Sequence, residues 1–148
     1  MKYLAVVEIP KGSDRRVHLS YDGSGFKDFG PIKERIPVNE GVMPVHYGYI
    51  KNVINPVEND NVDVIIFSNA AYETGDETNV EIIGMLTRKD GDHKLIAADE
   101  SIVLAHFSEV PAQDKNLLLE YFGYKSEIVS IDSREDALAY LQTCMASA

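Results

Sequence analysis

What most restricts the fold of this chain is its punctuation: short runs of β-forming residues, each cut off by Pro, Gly, Asn or Asp. Tyr3 to Ile9 predicts a strand carrying one inward acidic candidate, Glu8, and Pro10-Lys11-Gly12 stops it. Arg16 to Tyr21 alternates well enough for a second strand, with Arg16, His18 and Ser20 on one face, and Asp22-Gly23-Ser24-Gly25 closes it. After the Gly30-Pro31 break, Ile32 to Val38 predicts a weaker strand presenting Lys33 and Arg35 on one side, followed by a turn at Asn39-Glu40-Gly41. Pro44 to Ile50 contains Tyr47-Gly48-Tyr49, and a glycine between two tyrosines predicts a strand that another backbone or a ligand approaches closely. Val62 to Ser68 is a near-continuous apolar strand, and Ala70 to Thr78 is a polar connection. Asn79 to Arg88 and Lys94 to Ala98 predict a hairpin across Asp90-Gly91-Asp92. From Pro111 the period becomes helical. Leu117, Leu118 and Tyr121 mark a helix over Gln113 to Phe122, with Gly123 as its cap. Ile128 to Ile131 is a short strand, and Ser133-Arg134-Glu135-Asp136 opens a last helix much like a capping box. Such a pattern predicts a mainly β, α+β chain: a small barrel or curled sheet with two C-terminal helices packed outside.

A length of 148 residues suits one domain, residues 1–148, with a real core. The apolar fraction of 45% is too high for disorder. Acids outnumber Lys and Arg 24 to 14, a net charge of −10 that argues against a nucleic-acid groove or an anionic membrane surface as partner. No run approaches the roughly 20 apolar residues of a bilayer span. Cys144 is the only cysteine, which excludes an intrachain disulfide and fits a reducing cytoplasm; it reads as a thiol without a catalytic role. The expectation is a soluble cytoplasmic protein.

Ahead of the apolar strand stands Glu58-Asn59-Asp60-Asn61-Val62-Asp63, three carboxylates within six residues. An extended chain would point Glu58 and Asp60 one way and Asp63 the other, so convergence needs the turn that Asn59 and Asn61 favour. Oxygen ligands clustered in a braced loop are what Mg²⁺ takes. Alone, the stretch reads first as a solvated acidic turn, as Asp90-Gly91-Asp92 reads first as a hairpin turn. The functional reading gains weight only if other segments aim matching chemistry at it.

They do. Val7-Glu8-Ile9-Pro10, Tyr47-Gly48-Tyr49-Ile50, Glu58-x-Asp60-x-x-Asp63, Gly84-Met85-Leu86, Asp90 and Asp92 followed by Lys94, and Tyr124-Lys125 occur in an order and approximate spacing that resemble the type I, bacterial-type soluble inorganic pyrophosphatases, from residue 4 to about 125. The chain is similar to that family as a divergent, short member. The resemblance implies a five-stranded OB-like barrel with an active site at one mouth, Mg²⁺ dependence with Mn²⁺ or Zn²⁺ as alternatives, hydrolysis of pyrophosphate to two phosphates, and a symmetric homo-oligomer. Carried over residue by residue, it makes Asp63, Asp90, Asp92, Glu58 and Glu8 metal ligands or acids serving metal-held water. Asp60 becomes the carboxylate that takes a proton from the attacking water, with Tyr47 touching the same network. Arg16, Arg35, Lys94, Tyr124 and Lys125 become the phosphate-holding groups.

Departures accompany the likeness. Glu58 stands where the family has Asp, which moves the carboxylate outward by roughly 1.5 Å. Asn61 replaces a proline, His18 an acid of the metal shell, His46 an asparagine and Met43 a tyrosine. The chain is also shorter around Gly91 and between Phe107 and Asn116. His18, facing a metal cluster, would give activity extra pH sensitivity near neutrality, whereas His46, His93 and His106 read as structural. A cavity of several carboxylates repels a polyanion until divalent ions fill it, so the metal-free protein is expected to bind pyrophosphate poorly, a point that calorimetry in excess chelator checks. The alternatives are a catalytically weakened homologue that binds metal and phosphate without efficient turnover, and an OB-barrel module for single strands, against which the acidic surplus speaks.

Overall fold

The computed structural model describes residues 2–20 and 22–146. Five strands close into a barrel: β1 (Tyr3–Ile9), β4 (His46–Asn55), β5 (Asp60–Phe67), β6 (Glu77–Arg88) and β7 (Lys94–Asp99), ordered β1-β4-β5-β7-β6 and returning to β1. All neighbours are antiparallel except β5 and β7, which run parallel. That order, with one parallel pair, is the OB-like barrel that the resemblance implies. β2 (Arg15–Leu19) and β3 (Phe26–Pro31) form a separate two-stranded ribbon, and β8 (Ile128–Asp132) adds to the free side of β6. α1 (Ala112–Phe122) and α2 (Arg134–Ala146) follow the barrel. Among the described residues no helix is long and apolar enough to cross a membrane.

Alternation along the barrel strands sorts side chains into two cores. Ala5, Val7, Ile50, Val64, Ile66, Val80, Ile82, Leu95 and Ala97 come from all five strands and fill the interior, onto which α2 packs Ala137, Leu141 and Cys144. The opposite parity, Tyr47, Ile65, Leu86 and Ile96, forms a second core under α1 with Leu118, Tyr121 and Phe122. Gly48 explains how β1 and β4 pair so closely: a Cβ there would lie 1.8 Å from the Val6 carbonyl oxygen, so a backbone makes the close approach that Tyr47-Gly48-Tyr49 predicts.

One predicted strand is corrected. Ile32–Glu34 and Val38–Gly41 are 3-10 turns, and the strand of this region lies earlier, at Phe26–Pro31, paired with β2. Pro31 and Pro37 precede the two turns and lack the N–H that a strand ladder needs. Asn39 and Glu40 take left-handed φ of 56° and 57°, which the predicted turn requires. The second predicted strand occupies Arg15–Leu19, its end at Tyr21 lying outside the described residues. α2 starts as its sequence suggests, with the Asp136 amide donating to Ser133 Oγ at 3.2 Å.

Candidate active site

A cavity of about 960 Å³ lies on the outer face of β4, β5 and β7, roofed by the β2–β3 ribbon and the end of α1. The site is therefore not at a mouth of the barrel, because its floor residues have the parity opposite to the interior ones. Sheet register builds the floor. Tyr49 stands opposite Asp63 on β5, and Asp63 beside Lys94 on β7.

Lys94 is the hub. Its Nζ donates to Asp63 Oδ2 at 2.6 Å, to Asp92 Oδ2 at 3.0 Å and to the Tyr47 hydroxyl at 2.7 Å. Burial opposes the ammonium, but Asp63 and Asp92 outweigh it and raise the lysine pKa above its ordinary value. Tyr47 is buried, and burial followed by the charges of Asp63 and Asp92 raises its pKa and keeps it a neutral phenol. Burial also raises Asp92, Lys94 works against that, and Asp63 adds to it. Desolvation and then Asp92 and Asp90 raise Glu58. An acid cluster whose members push one another's pKa upward is one that a further cation would relieve.

The two acidic loops, distant in sequence, are clasped together by Asn55. Its Nδ2 donates to the Gly91 carbonyl at 3.2 Å, and its Oδ1 accepts the Val57 amide at 2.9 Å. Gly91 has φ 82°, and a Cβ there would meet Val57 Cγ1 at 3.0 Å, so a residue with a side chain would pry the loops apart. Asn59 takes the left-handed conformation at φ 53°, making the turn that brings Asp60 round, and the Asp92 amide closes the other loop onto Asp90 Oδ1 at 3.0 Å.

Of the residues singled out from sequence, Glu8, Arg16, Tyr47, Asp60, Asp63, Asp92, Lys94 and Lys125 line the cavity. Arg35, Glu58, Asp90 and Tyr124 do not. Asp90 Oδ1 accepts the Asp92 amide, and Glu58 is exposed but within electrostatic reach of Asp92, Asp90 and Asp63. Arg35 follows the first 3-10 turn, close enough for its charge to lower the Arg16 pKa, after burial. Tyr124, half exposed, follows Gly123 at the end of α1. Glu8 is buried; its Oε2 accepts the Leu19 amide at 2.8 Å and lies 3.5 Å from His18 Nδ1, which places His18 on the cavity wall. His46 is structural, taking the Lys11 amide on Nδ1 and facing the Ala70 carbonyl with Nε2.

The donor set suits a hard cation, since the acids are carboxylates around one cavity. Among the described residues no three or more of His, Cys, Asp and Glu gather into a ligand set. That still fits Mg²⁺, which binds through one or two carboxylates, keeps several waters and takes its other ligands from substrate phosphates. Asp63 and Asp92 are the pair that would hold it.

Sequence reasoning missed two residues. Asn55 falls between the predicted strands Pro44 to Ile50 and Val62 to Ser68, outside every motif. Arg88 is, from sequence, only the last residue of the predicted strand Asn79 to Arg88, yet it is 8% exposed and lines the cavity. The signal was there: an arginine closing an apolar strand two residues before the first acid of a turn.

The family model for inorganic pyrophosphatases matches residues 5–147. The chain belongs to the inorganic pyrophosphatase family. Among curated relatives, the inorganic pyrophosphatase of Ureaplasma parvum serovar 3 is 30% identical over 100 residues, 66% of this chain and 52% of its own length. That of Sulfolobus acidocaldarius is 28% identical over 133 residues, 83% of this chain and 73% of its own. The chain thus spans about half the length of the first relative. Two solved pyrophosphatase structures share the fold. The one from Ehrlichia chaffeensis has a TM-score of 0.84 at 17% identity, covering 97% of this chain and 92% of that one. The one from Thermus thermophilus has a TM-score of 0.83 at 20% identity, covering 99% and 90%. Identities this low leave family membership resting on the family model and the site chemistry on this chain's own residues.

Proposed function

We infer that this family member hydrolyses inorganic pyrophosphate to two phosphates with a divalent cation, Mg²⁺ first and Mn²⁺ or Zn²⁺ as alternatives. One observation carries the reading: two acidic loops, whose Asp63 and Asp92 are 29 residues apart, converge on one cavity through a shared ammonium, Asp63–Lys94–Asp92. Phosphoanhydride hydrolysis asks a protein mainly for positioning and charge compensation. Asp63 and Asp92, with Glu58, Asp90 and Glu8 as further acids, would hold a divalent ion, which when bound would supply that compensation and acidify water. Asp60, exposed on the cavity rim, takes the proton of the attacking water. Tyr47, a neutral phenol, orients Lys94 and Asp63. Arg16 and Lys125 hold phosphate oxygens, Lys94 contributes its positive charge beside them while its N–H groups stay on Asp63, Asp92 and Tyr47, and Arg35 and Tyr124 join from beyond the cavity lining. A cytoplasmic homo-oligomer belongs to the same reading. In its support, β8 pairs only with β6 among the described strands and leaves Val129 and Ile131 exposed on an open edge.

The test is phosphate release from pyrophosphate with Mg²⁺, Mn²⁺ and Zn²⁺, with ATP as comparison substrate. Pyrophosphate should be the preferred substrate, and Asp60→Asn should cost on the order of 10² to 10⁴ in rate, as loss of a general base does. Background release with all three ions overturns the proposal.

A further inference from the structure

Arg88 is a buried cation with too few acceptors. Its Nη2 lies 3.4 Å from Asp90 Oδ2 and its Nη1 3.9 Å from Asp92 Oδ2, whereas charge-assisted bonds sit near 2.7–2.9 Å. Its buried Nε has no partner. The same chain shows what a satisfied arginine looks like: Arg15 grips Asp28 with Nε and Nη2, both at 2.9 Å, on an exposed ribbon where little is at stake. A guanidinium has five N–H donors, and burying it without acceptors is costly. Asp92 Oδ2, the more distant of its two carboxylate neighbours, already accepts from Lys94 Nζ. Lys94 and Arg88 are near enough that Arg88 disfavours the lysine's charge. Two like charges are therefore enclosed side by side at one cavity wall, with donors left over.

We propose that Arg88 is a phosphate-binding residue of this cavity: Asp90 and Asp92 hold its guanidinium in place, and its unused N–H groups donate to one phosphoryl group of a diphosphate beside Lys94. The identity of the ligand rests on the hydrolase reading above; the anion site itself rests on Arg88. The planar fork suits tetrahedral oxyanions and offers paired donors, which a lysine does not. Arg88 thereby becomes an affinity determinant that its place at a strand end conceals.

The test uses the full chain, as native protein and as Arg88→Met and Arg88→Lys, with the non-hydrolysed analogue imidodiphosphate in Mg²⁺, read by calorimetry. Arg88→Met should weaken binding by roughly ten-fold or more, the effect of losing a hydrogen bond to a charged group, and Arg88→Lys should fall between Arg88→Met and native. In the native protein the Arg88 Nε–H resonance should move as imidodiphosphate is added, a readout that needs no variant. An Arg88→Met protein that binds within about two-fold of native, or a resonance unmoved at saturation, overturns the proposal. Phosphate release from pyrophosphate is measured alongside. Binding through Arg88 without turnover sinks only the hydrolase reading, and turnover with KM unchanged in Arg88→Met sinks only this one.

Discussion

Lys94→Met is the most informative single perturbation. The lysine side chain is 5% exposed, and Asp63 and Asp92 each lie within 3.0 Å of its Nζ, so the two carboxylates are no more than about 6 Å apart. With the ammonium gone they face each other directly. At an effective dielectric of about 20 two charges at that separation repel by roughly 3 kcal/mol, in line with the 3–5 kcal/mol lost when one partner of a buried pair is removed. Asp63 and Asp92 keep some contact with water, so about 3 kcal/mol is the better figure. For a chain of this size each kcal/mol moves the melting temperature by about 2–4 °C, which gives a drop of roughly 6–12 °C. The sign of the remedy is equally specific. A cation or a proton can take the lysine's place, so millimolar Mg²⁺ or a pH near 5 should recover more than half of the loss in the variant while moving the native protein far less. Thermal melts of both proteins, with and without Mg²⁺ and at two pH values, make the measurement. A Lys94→Met protein melting within about 2 °C of native, or one whose response to Mg²⁺ matches native, refutes the account of Lys94 as the internal counter-ion of the two acids.

The remaining predictions are narrower. Gly48→Ala should leave little folded protein by circular dichroism, because its Cβ would lie 1.8 Å from the Val6 carbonyl in the β1–β4 pair. Gly91→Ala combines a φ of 82° with a 3.0 Å contact to Val57; it should cost about 1–2 kcal/mol in urea unfolding and a larger share of pyrophosphate turnover than of stability. Burial lowers the His46 pKa from 6.5, so the unfolded chain takes up that proton first as pH falls. The stability His46 contributes is complete above about pH 6.5 and is lost as pH falls through the lower native value, so His46→Gln should flatten the decline in melting temperature between neutrality and about pH 5. Equal slopes in the two proteins would show that the ring does not report this linkage. His18→Gln should change the pH–rate profile near neutrality, and an unmoved profile removes His18 from the site.

The barrel strands were legible because both parities of each strand carry large apolar residues or recognisable acids, and a turn signal bounds every run. Tyr3–Ile9 is a strand over the predicted residues, and the helix over Gln113 to Phe122 starts one residue earlier. The stretch around residues 26–41 was misread because Ile32, Ile36 and Val38 mimic a strand pattern, whereas the prolines beside them decide the backbone. In the site, the acids were visible as a motif, but which of them share a cavity was not. Asp90 and Glu58 sit in the right loops and near the right neighbours, and only the register of β5 on β7 and the Asn55 clasp tell them apart from Asp92 and Asp63. Arg88 escaped notice because charge at a strand end usually means solvent, and its burial comes from strands and loops remote in sequence.

The parallel pairing of β5 with β7 has a consequence for how this protein comes into being. Asp63 meets Lys94 only after the chain has run through β6 and returned, so no shorter stretch of polypeptide contains both the acid and its lysine in position. A nascent chain released as far as residue 90 carries the acidic turn without the ammonium that restrains it. Such a contact closes late, once the entropy of a long loop has been overcome. In refolding experiments recovery of anion affinity should therefore lag the return of secondary structure and coincide with the final cooperative step, making the ligand itself a reporter of the completed barrel.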